Sequence, residues 1–354
     1  MQDWTHVADT GPDDRQFLRP AWYQAWEAAF GDDRNWRPPV RYIAVADGGD
    51  AACVLPLGTQ RVGPFPFASL CGGYFPSRGI PYCGAPDRLA PACEAALRAM
   101  KAKVGLRLGP VPHDDAMLTA LLPALERGGW RLLRQRVGVE FVLKNPGGLE
   151  AYQAGLSSNR RKKVDYYWRK LNEAGKTELR HFNGAGCDWP SVFADIRAVE
   201  AASWVAQTGE PRFLGARNER YWNQLMDDPW FNQAVNVWLI DHCGMPVSFA
   251  LTLDSGSTRY VIANSFDERV AKFSTGSKIY QQLIFDAFGR GLSQVNIGLG
   301  DSGYKSGWGA RPASTLIDII AFAPSLGGRT ALLAARAREA AVQIRKRRSR
   351  SRRK

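Results

Sequence analysis

The stretch from Val295 to Pro312, VNIGLGDSGYKSGWGARP, sets an apolar run directly ahead of a carboxylate (Asp301), a phenol and an amine (Tyr304, Lys305), an indole (Trp308) and five glycines. Such a set can move protons. A carboxylate can orient or deprotonate a nucleophile, a phenol can return a proton to a leaving group, and an ammonium can neutralise an anion. The glycines allow the backbone to turn away from a sheet and crowd a ligand. The same residues also fit a Gly-rich turn in which Asp301 caps a short helix and Tyr304 and Trp308 join the core.

A second set lies upstream. Ser274-Thr275-Gly276-Ser277-Lys278 opens the helical segment SKIYQQLIFDAFGRG. A helix amino terminus offers unpaired N–H groups and a positive dipole end, which together attract an anion. Gly276 removes the Cβ that would hold a phosphate off, the hydroxyls are donors, and Lys278 adds a point charge. A plain Ser cap with a turn glycine also accounts for these residues. The third set is Arg160-Arg161-Lys162-Lys163 with Arg169-Lys170, which interrupts an apolar stripe beside Tyr166, Tyr167 and Trp168. It reads as a solvated helix face or as a groove for an anionic or sugar acceptor, with Arg160 and Arg161 facing the acceptor. The four histidines have no metal spacing, and the six cysteines form no CxxC pair, so no metal is expected and the thiols are expected to be free and buried.

The elements that must position these groups alternate along the chain. Helical spacing of aromatics runs from Gln16 to Phe30, two strands flank the turn Asp47-Gly48-Gly49-Asp50, and residues 63–86 are too punctuated by Gly and Pro for long elements. Helix, strand, helix and strand follow up to about residue 144. A long helix is expected from Gly148 to Ala174, stopped by Gly175, with Leu149, Tyr152, Leu156, Val164, Tyr167 and Leu171 as its buried stripe. Strands then lead to STRYVIANSF, to the loop DERVAKFSTG and its helix, to LSQVNIG, and to a last strand STLIDIIAFA.

This order of strand, glycine-bearing loop, helix and strand resembles the core of GNAT acyltransferases, which builds a coenzyme A pocket. More narrowly, LSSNRRKKVDYYWRKLNEAG (156–175), NSFDERVAKFSTGSKIYQQLIFDAFGRG (264–291) and NIGLGDSGYKSGWG (296–309) resemble the CelD/BcsL-like branch of that superfamily. The resemblance implies an α/β fold of two GNAT-like (acyl-CoA N-acyltransferase) domains, each a mixed, mostly antiparallel sheet flanked by helices. Boundaries are expected at 1–145, 146–326 and 327–354, the last a basic, partly helical or disordered tail. It implies acyl transfer, from acyl-CoA and acetyl-CoA above all, to an amine or hydroxyl of an envelope, polysaccharide-type or small-molecule acceptor. Asn264 and Ser265 would then polarise the thioester and Ser274 to Lys278 would hold the pyrophosphate. Tyr304 would act as the acid and Asp301 would handle the acceptor, with Lys305 on a phosphate and Arg160, Arg161 and Trp308 on the acceptor side. The chain departs from many GNAT enzymes in lacking the full RxxGxG/A phosphate loop.

The net charge of +13 is uneven: residues 327–354 hold eleven Arg or Lys and one acid, a local +10 that leaves +3 for the rest. The folded body is therefore nearly neutral, and the tail is expected to meet an anionic membrane surface or nucleic acid. The amino terminus MQDWTHVADTGPDD lacks the pattern of a secretion signal, and no apolar run is long enough to span a bilayer. A cytoplasmic protein is expected, at the inner membrane face if the acceptor is an envelope precursor. Two other classes fit the same residues: a Fem-like transferase that takes its acyl group from aminoacyl-tRNA, and a non-catalytic binding protein of the same fold.

Overall fold

The computed structural model describes residues 2–32, 36–47, 51–73, 78–85, 89–100, 103–208, 211–301 and 303–351. The turn expected at residues 48–50 lies outside them. Along the chain, α1 (Gln2–Thr10) and α2 (Pro20–Phe30) precede β1 (Trp36–Asp47), β2 (Ala51–Val62), β3 (Phe65–Leu70) and β4 (Tyr82–Cys83). Then come α3 (Leu89–Met100), β5 (Gly105–Pro112), α4 (Ala116–Arg127) and β6 (Arg131–Lys144). Next are α5 (Leu149–Gly155), α6 (Ser158–Ala174), β7 (Thr177–Asn183), α7 (Trp189–Ala201), α8 (Trp204–Thr208), α9 (Ala216–Met226) and α10 (Pro229–Ala234). The chain closes with β8 (Val235–His242), β9 (Met245–Ser255), β10 (Thr258–Phe266), α11 (Thr275–Gly289), β11 (Gln294–Leu299), β12 (Arg311–Phe322) and α12 (Leu326–Ser351).

These elements divide into two units, each discontinuous in sequence: Met1–Phe30 with Gly72–Ser77 and Gly138–Thr315, and Gly31–Cys71 with Arg78–Val137 and Leu316–Lys354. In the second unit the strand order is β1-β2-β3-β5-β12, with β4 also on β2, and Leu55, Leu106, Leu108, Leu121, Leu125 and Ile319 form its core beneath α3 and α4. There Arg107 meets the Asp318 carboxylate at 2.7 Å across the β5–β12 pair. All the candidate residues belong to the first unit, whose order is β6-β11-β10-β9-β8-β7. Every pairing in it is antiparallel except β10 with β11. Mixed α/β with a mostly antiparallel sheet flanked by helices is the fold class the sequence resemblance implied.

β8 and β9 are buried along VNVWLI and VSFALTL because both of their faces are covered. On one face, Leu156, Val164, Ile279, Leu283 and Ile284 of the α5, α6 and α11 region pack on Trp238, Ala250 and Ile297. On the other, Phe213 of the 211–215 loop packs between Phe193 of α7, Trp222 of α9 and Phe249 of β9.

Several elements differ from the sequence reading, α1 among them. The helix expected over Gly148–Ala174 is broken at Leu156-Ser157, because Ser157 takes the N-cap position and its hydroxyl accepts from the Arg160 amide at 3.2 Å. The apolar stripe survives the break, with Tyr152, Leu156, Val164 and Leu171 all buried. α10 begins at an Asp-Pro pair, where Asp228 caps Trp230 and Phe231. The basic carboxyl terminus, expected as partly helical or disordered, is helical through Ser351, and past Gly327-Gly328 its run rich in Ala, Arg and Leu favours that.

One buried ion cluster ties the sheet to α11. Arg259 of β10 has no exposed surface. Its guanidinium grips Asp254 of β9 through two bonds of 2.7 Å and meets Asp286 and the Leu283 carbonyl of α11 at 2.7 Å each. It also lies 4.9 Å from the Trp238 ring, on which His181 stacks at 4.5 Å. Burial alone would weaken the charge, but the Asp254 and Asp286 carboxylates hold it raised above the ordinary arginine value. Removing only the cation leaves the two carboxylates side by side, with the more exposed Arg290, at 3.0 Å from Asp254 and 3.7 Å from Asp286, as the cation that remains. Arg259→Met should therefore lower the free energy of unfolding by about 3–5 kcal/mol. Urea denaturation checks this, and a loss below about 1 kcal/mol would show that the cluster is not a tie.

Candidate active site

β10 and β11 run parallel, but their register extends only from Thr258↔Gln294 to Tyr260↔Asn296. Past that point each strand leaves its partner's side. β10 shifts register against β9 between Val261 and Ala263, and β11 shifts against β6 between Asn296 and Leu299. Such bulges bend and twist a strand, and Gly298 at φ 79° permits the bend in β11. The two carboxyl-terminal ends splay, and a cleft of about 290 Å³ opens between them. Its walls are Val261 to Ser265 on one side and Ile297, Gly298 and Leu299 on the other, with Phe249, Tyr280, Lys305, Glu200, Val205 and Arg212 closing it. Main-chain groups of β10 that would have paired with β11 are thus turned toward a ligand-sized space.

Glu200, on a helix the sequence shows by its apolar spacing, and Arg212 are not among the candidate residues. Glu200 is buried, and its carboxylate accepts from the amides of Arg212 (2.9 Å), Phe213 (2.8 Å) and Leu214 (3.0 Å). Held by this loop, Arg212 Nη1 donates to the Ile262 carbonyl that the β10 bulge releases. The sequence signal was an acid inside an apolar stripe: Glu200 follows Val192, Phe193, Ile196 and Val199 at helical spacing, all buried. Tyr280, also missed, is buried in α11 and donates to Asn264 Oδ1 at 3.3 Å; burial pushes its phenol up.

The candidates fall into three places. Asn264, Ser265 and Lys305 line the cleft. Ser265 Oγ is buried with no hydrogen-bond partner. The Lys305 amine donates to the Leu299 carbonyl at 2.7 Å. Burial pushes it down to about 8, against the opposing charges of Asp301 and Glu140.

The second place is the start of α11. Ser274 stands at its N-cap in the left-handed conformation (φ 50°, ψ 42°) and makes no side-chain cap, so the plain Ser cap is absent. Thr275 and Gly276 follow at the first helical positions, where amides have no intrahelical acceptor. A Cβ added at Gly276 would meet nothing within 4 Å, and Thr275 Oγ1 is buried with no partner. Ser277 is half-buried in the same turn. Lys278 turns along the helix to Gln281 Oε1 at 2.9 Å and lies 5.4 Å from the Trp168 ring; burial lowers its pKa. Tyr304 joins this place to the 301–309 loop, its hydroxyl donating to the Gly276 carbonyl at 3.2 Å. Burial pushes its phenol up to about 12.

The third place is the Arg160–Trp308 stack. Trp308 is 1% exposed and packs in the core, and the Arg160 guanidinium lies 5.0 Å from its ring. A Cβ on Gly307 would stand only 1.7 Å from Arg160 Nη2, so that glycine makes room for the arginine. Arg161 is exposed and takes no part in the stack. Asp301, finally, accepts from the amides of Lys305 (2.9 Å) and Ser306 (3.1 Å). Bonds from Ser306 and the loop amides hold it below the ordinary carboxylate range. Among the described residues no group of three or more His, Cys, Asp or Glu is placed to hold a metal ion, and no helix is long and apolar enough to cross a membrane.

Residues 158–306 match the family model described as "Acetyltransferase (GNAT) domain", a span that contains the whole cleft. No curated protein matches the chain. Among solved structures, the crystal structure of FemX is similar at a TM-score of 0.63 and 13% identity, over 94% of this chain and 97% of that one. The C-terminal domain of a putative lysylphosphatidylglycerol synthetase from Agrobacterium fabrum follows at 0.52 and 13%, over 94% of each chain. L-PGS from Bacillus licheniformis follows at 0.50 and 12%, over 90% of this chain and 96% of that one. At such identities these likenesses concern the fold. What the comparisons give is a match of residues 158–306 to a GNAT acetyltransferase domain.

Gly298 is the residue on which the β11 bend most directly rests. Gly298→Ala should cost about 1–2 kcal/mol for the left-handed backbone and weaken binding of any cleft ligand. Thermal unfolding and ligand titration of the variant check both, and wild-type values in each would contradict the bend's dependence on glycine.

Proposed function

We propose that this domain moves an acyl group, acetyl being the smallest, from acyl-CoA directly to an amine or hydroxyl of an envelope, polysaccharide-type or small-molecule acceptor. The observation that carries the reading is the splay of β10 from β11. It supplies a slot whose β10 wall presents main-chain groups at a fixed position. Fixed donors facing a developing oxyanion are usually the largest single contribution to such catalysis. Asn264 and Ser265 belong to that wall, and the first turn of α11, Ser274 to Lys278, would take the donor's pyrophosphate through amides and hydroxyls.

In this reading the acceptor's N or O attacks the thioester carbonyl carbon, the new bond to carbon forms and the C–S bond breaks. Lys305 takes the acceptor's proton. An amine pushed down to about 8 is about one-tenth neutral at pH 7, far more than an ordinary lysine. Tyr304 holds its proton at neutral pH and is the group that gives it to the departing thiolate; both then re-equilibrate with solvent. Asp301 is a weak base for this step, because the loop amides stabilise its charged form, and its work is to shape the turn that carries Lys305. Arg160 holds the same loop through Trp308, and the exposed Arg161 is the acceptor-side cation. The basic α12 region would meet an anionic membrane surface or nucleic acid, which fits a cytoplasmic place at the inner membrane face.

A second reading takes the acyl group from aminoacyl-tRNA in the Fem-like manner. It is motivated by the exposed basic edge of α6, Arg161, Lys162 and Lys163. Thermal protection separates the two: acetyl-CoA should raise the melting temperature under the first and aminoacyl-tRNA under the second. Protection by neither would leave only a non-catalytic binding protein.

Lys305→Ala should lower kcat/KM by about 10²–10⁴-fold with little change in melting temperature. The wild-type kcat/KM should rise with pH through about 8 and level off above it, because the neutral amine is the active form. A profile that falls through this range would assign the charged form instead.

A further inference from the structure

Behind the β11 wall, β6 places a carboxylate where its alternation calls for an apolar residue. Glu140 is 5% exposed and shares a strand face with buried Val142. In the ladder it stands opposite Leu299, the residue whose carbonyl takes the Lys305 amine. Its Oε1 accepts from Asn296 Nδ2 at 3.3 Å, while Asn296 Oδ1 accepts from the Gly298 amide at 2.8 Å. Asn296 is itself 6% exposed, so this bridge is dry. One carboxylate thus reaches both features that make the cleft: the bend of β11 through Asn296, and the support of Lys305 through the strand segment that ends at Leu299.

We propose that Glu140 is a positioning residue of the cleft, fixing the β11 bend through Asn296 and supplying, from the strand behind, the charge that the Lys305 amine faces. The proposal rests on the role given to Lys305 above. The charged and titratable groups around that amine are Asp301 on its own loop, Glu140 on β6, Tyr280 on α11, and Glu200 and Arg212 across the cleft. Asp301 and Glu200 are each held by backbone amides. Glu140 is the one that comes from the strand paired with β11, opposite the residue whose carbonyl holds the amine.

The test is an NMR titration of substrate-free protein carrying ¹³C-labelled lysine, with the Lys305 signal identified by its loss in Lys305→Arg. The wild-type midpoint should lie near 8. Glu140→Gln keeps an acceptor for Asn296 but removes the charge, and should move the midpoint down by roughly one pH unit, since a nearby opposite charge favours the ammonium. The kcat/KM profile should move in the same direction. A folded Glu140→Gln protein with an unmoved or raised midpoint would overturn the proposal, and a residue that only supports the fold would lower the melting temperature without moving it. If Glu140→Gln does not fold, Glu140→Asp, which withdraws the charge by one methylene, should move the midpoint down by less; no movement there overturns the proposal equally. The titration needs no donor, so failure of the transfer reading would show separately, as absent acetyl-CoA protection with the midpoint shift intact.

Discussion

Two parallel strands that pair and then part are the constraint on which the rest of this unit depends. Neighbouring strands ordinarily keep their ladder, because every unpaired main-chain group in a dry interior costs free energy. Here the ladder between β10 and β11 stops after Tyr260↔Asn296. Released groups are taken by side chains, one distant in sequence and two local: Arg212 on the Ile262 carbonyl, Asn296 on the Gly298 amide, Lys305 on the Leu299 carbonyl. At the paired end, Arg259 faces Val295 in the register and binds β9 and α11 together. A clamp at one end and a bend at the other make an opening whose position is set by the fold.

That opening explains why its polar groups carry unusual properties. An amine half-buried between apolar strand residues is harder to charge, and carboxylates nearby oppose the effect without cancelling it. A phenol buried against α11 is harder to ionise. The two groups, Lys305 in the cleft and Tyr304 at the start of α11, are thereby driven in opposite directions, one toward losing its proton and the other toward keeping it, as the proposed base and acid would require at one pH. In the proposed transfer, proximity would supply the remainder, since an acceptor and a thioester held in one slot react without the entropy cost of meeting in solution.

Much of this was legible in the chain because local rules agreed with the fold. The strand–loop–helix–strand order, the glycines of 298–309 and the polar tips behind them are short-range features, and Asn264, Ser265 and Lys305 do line one cleft. Burial was harder to see. The resemblance puts Trp308 on the acceptor side, with a core place as the alternative reading, and it packs in the core with Arg160 over it. Asp301 reads either as a group handling the acceptor or as a cap, and its carboxylate is occupied by amides four and five residues on, as the capping alternative has it. Glu200 and Arg212 lie far from the glycine-rich element in sequence, and only the sheet brings them to Ile262. Ser157 broke a helix whose apolar stripe continues across the gap, because periodicity does not register a hydroxyl that competes for one amide.

The central claim is that an acyl thioester sits between the parted strands. A crystal structure with a non-reactive acetyl-CoA analogue tests it most directly. The account predicts the analogue's carbonyl oxygen within hydrogen-bond distance of a main-chain amide in Val261–Ser265, with the pyrophosphate over Thr275 and Gly276. An analogue bound elsewhere on the molecule, or a bound state in which β10 and β11 pair through to their ends, would contradict it.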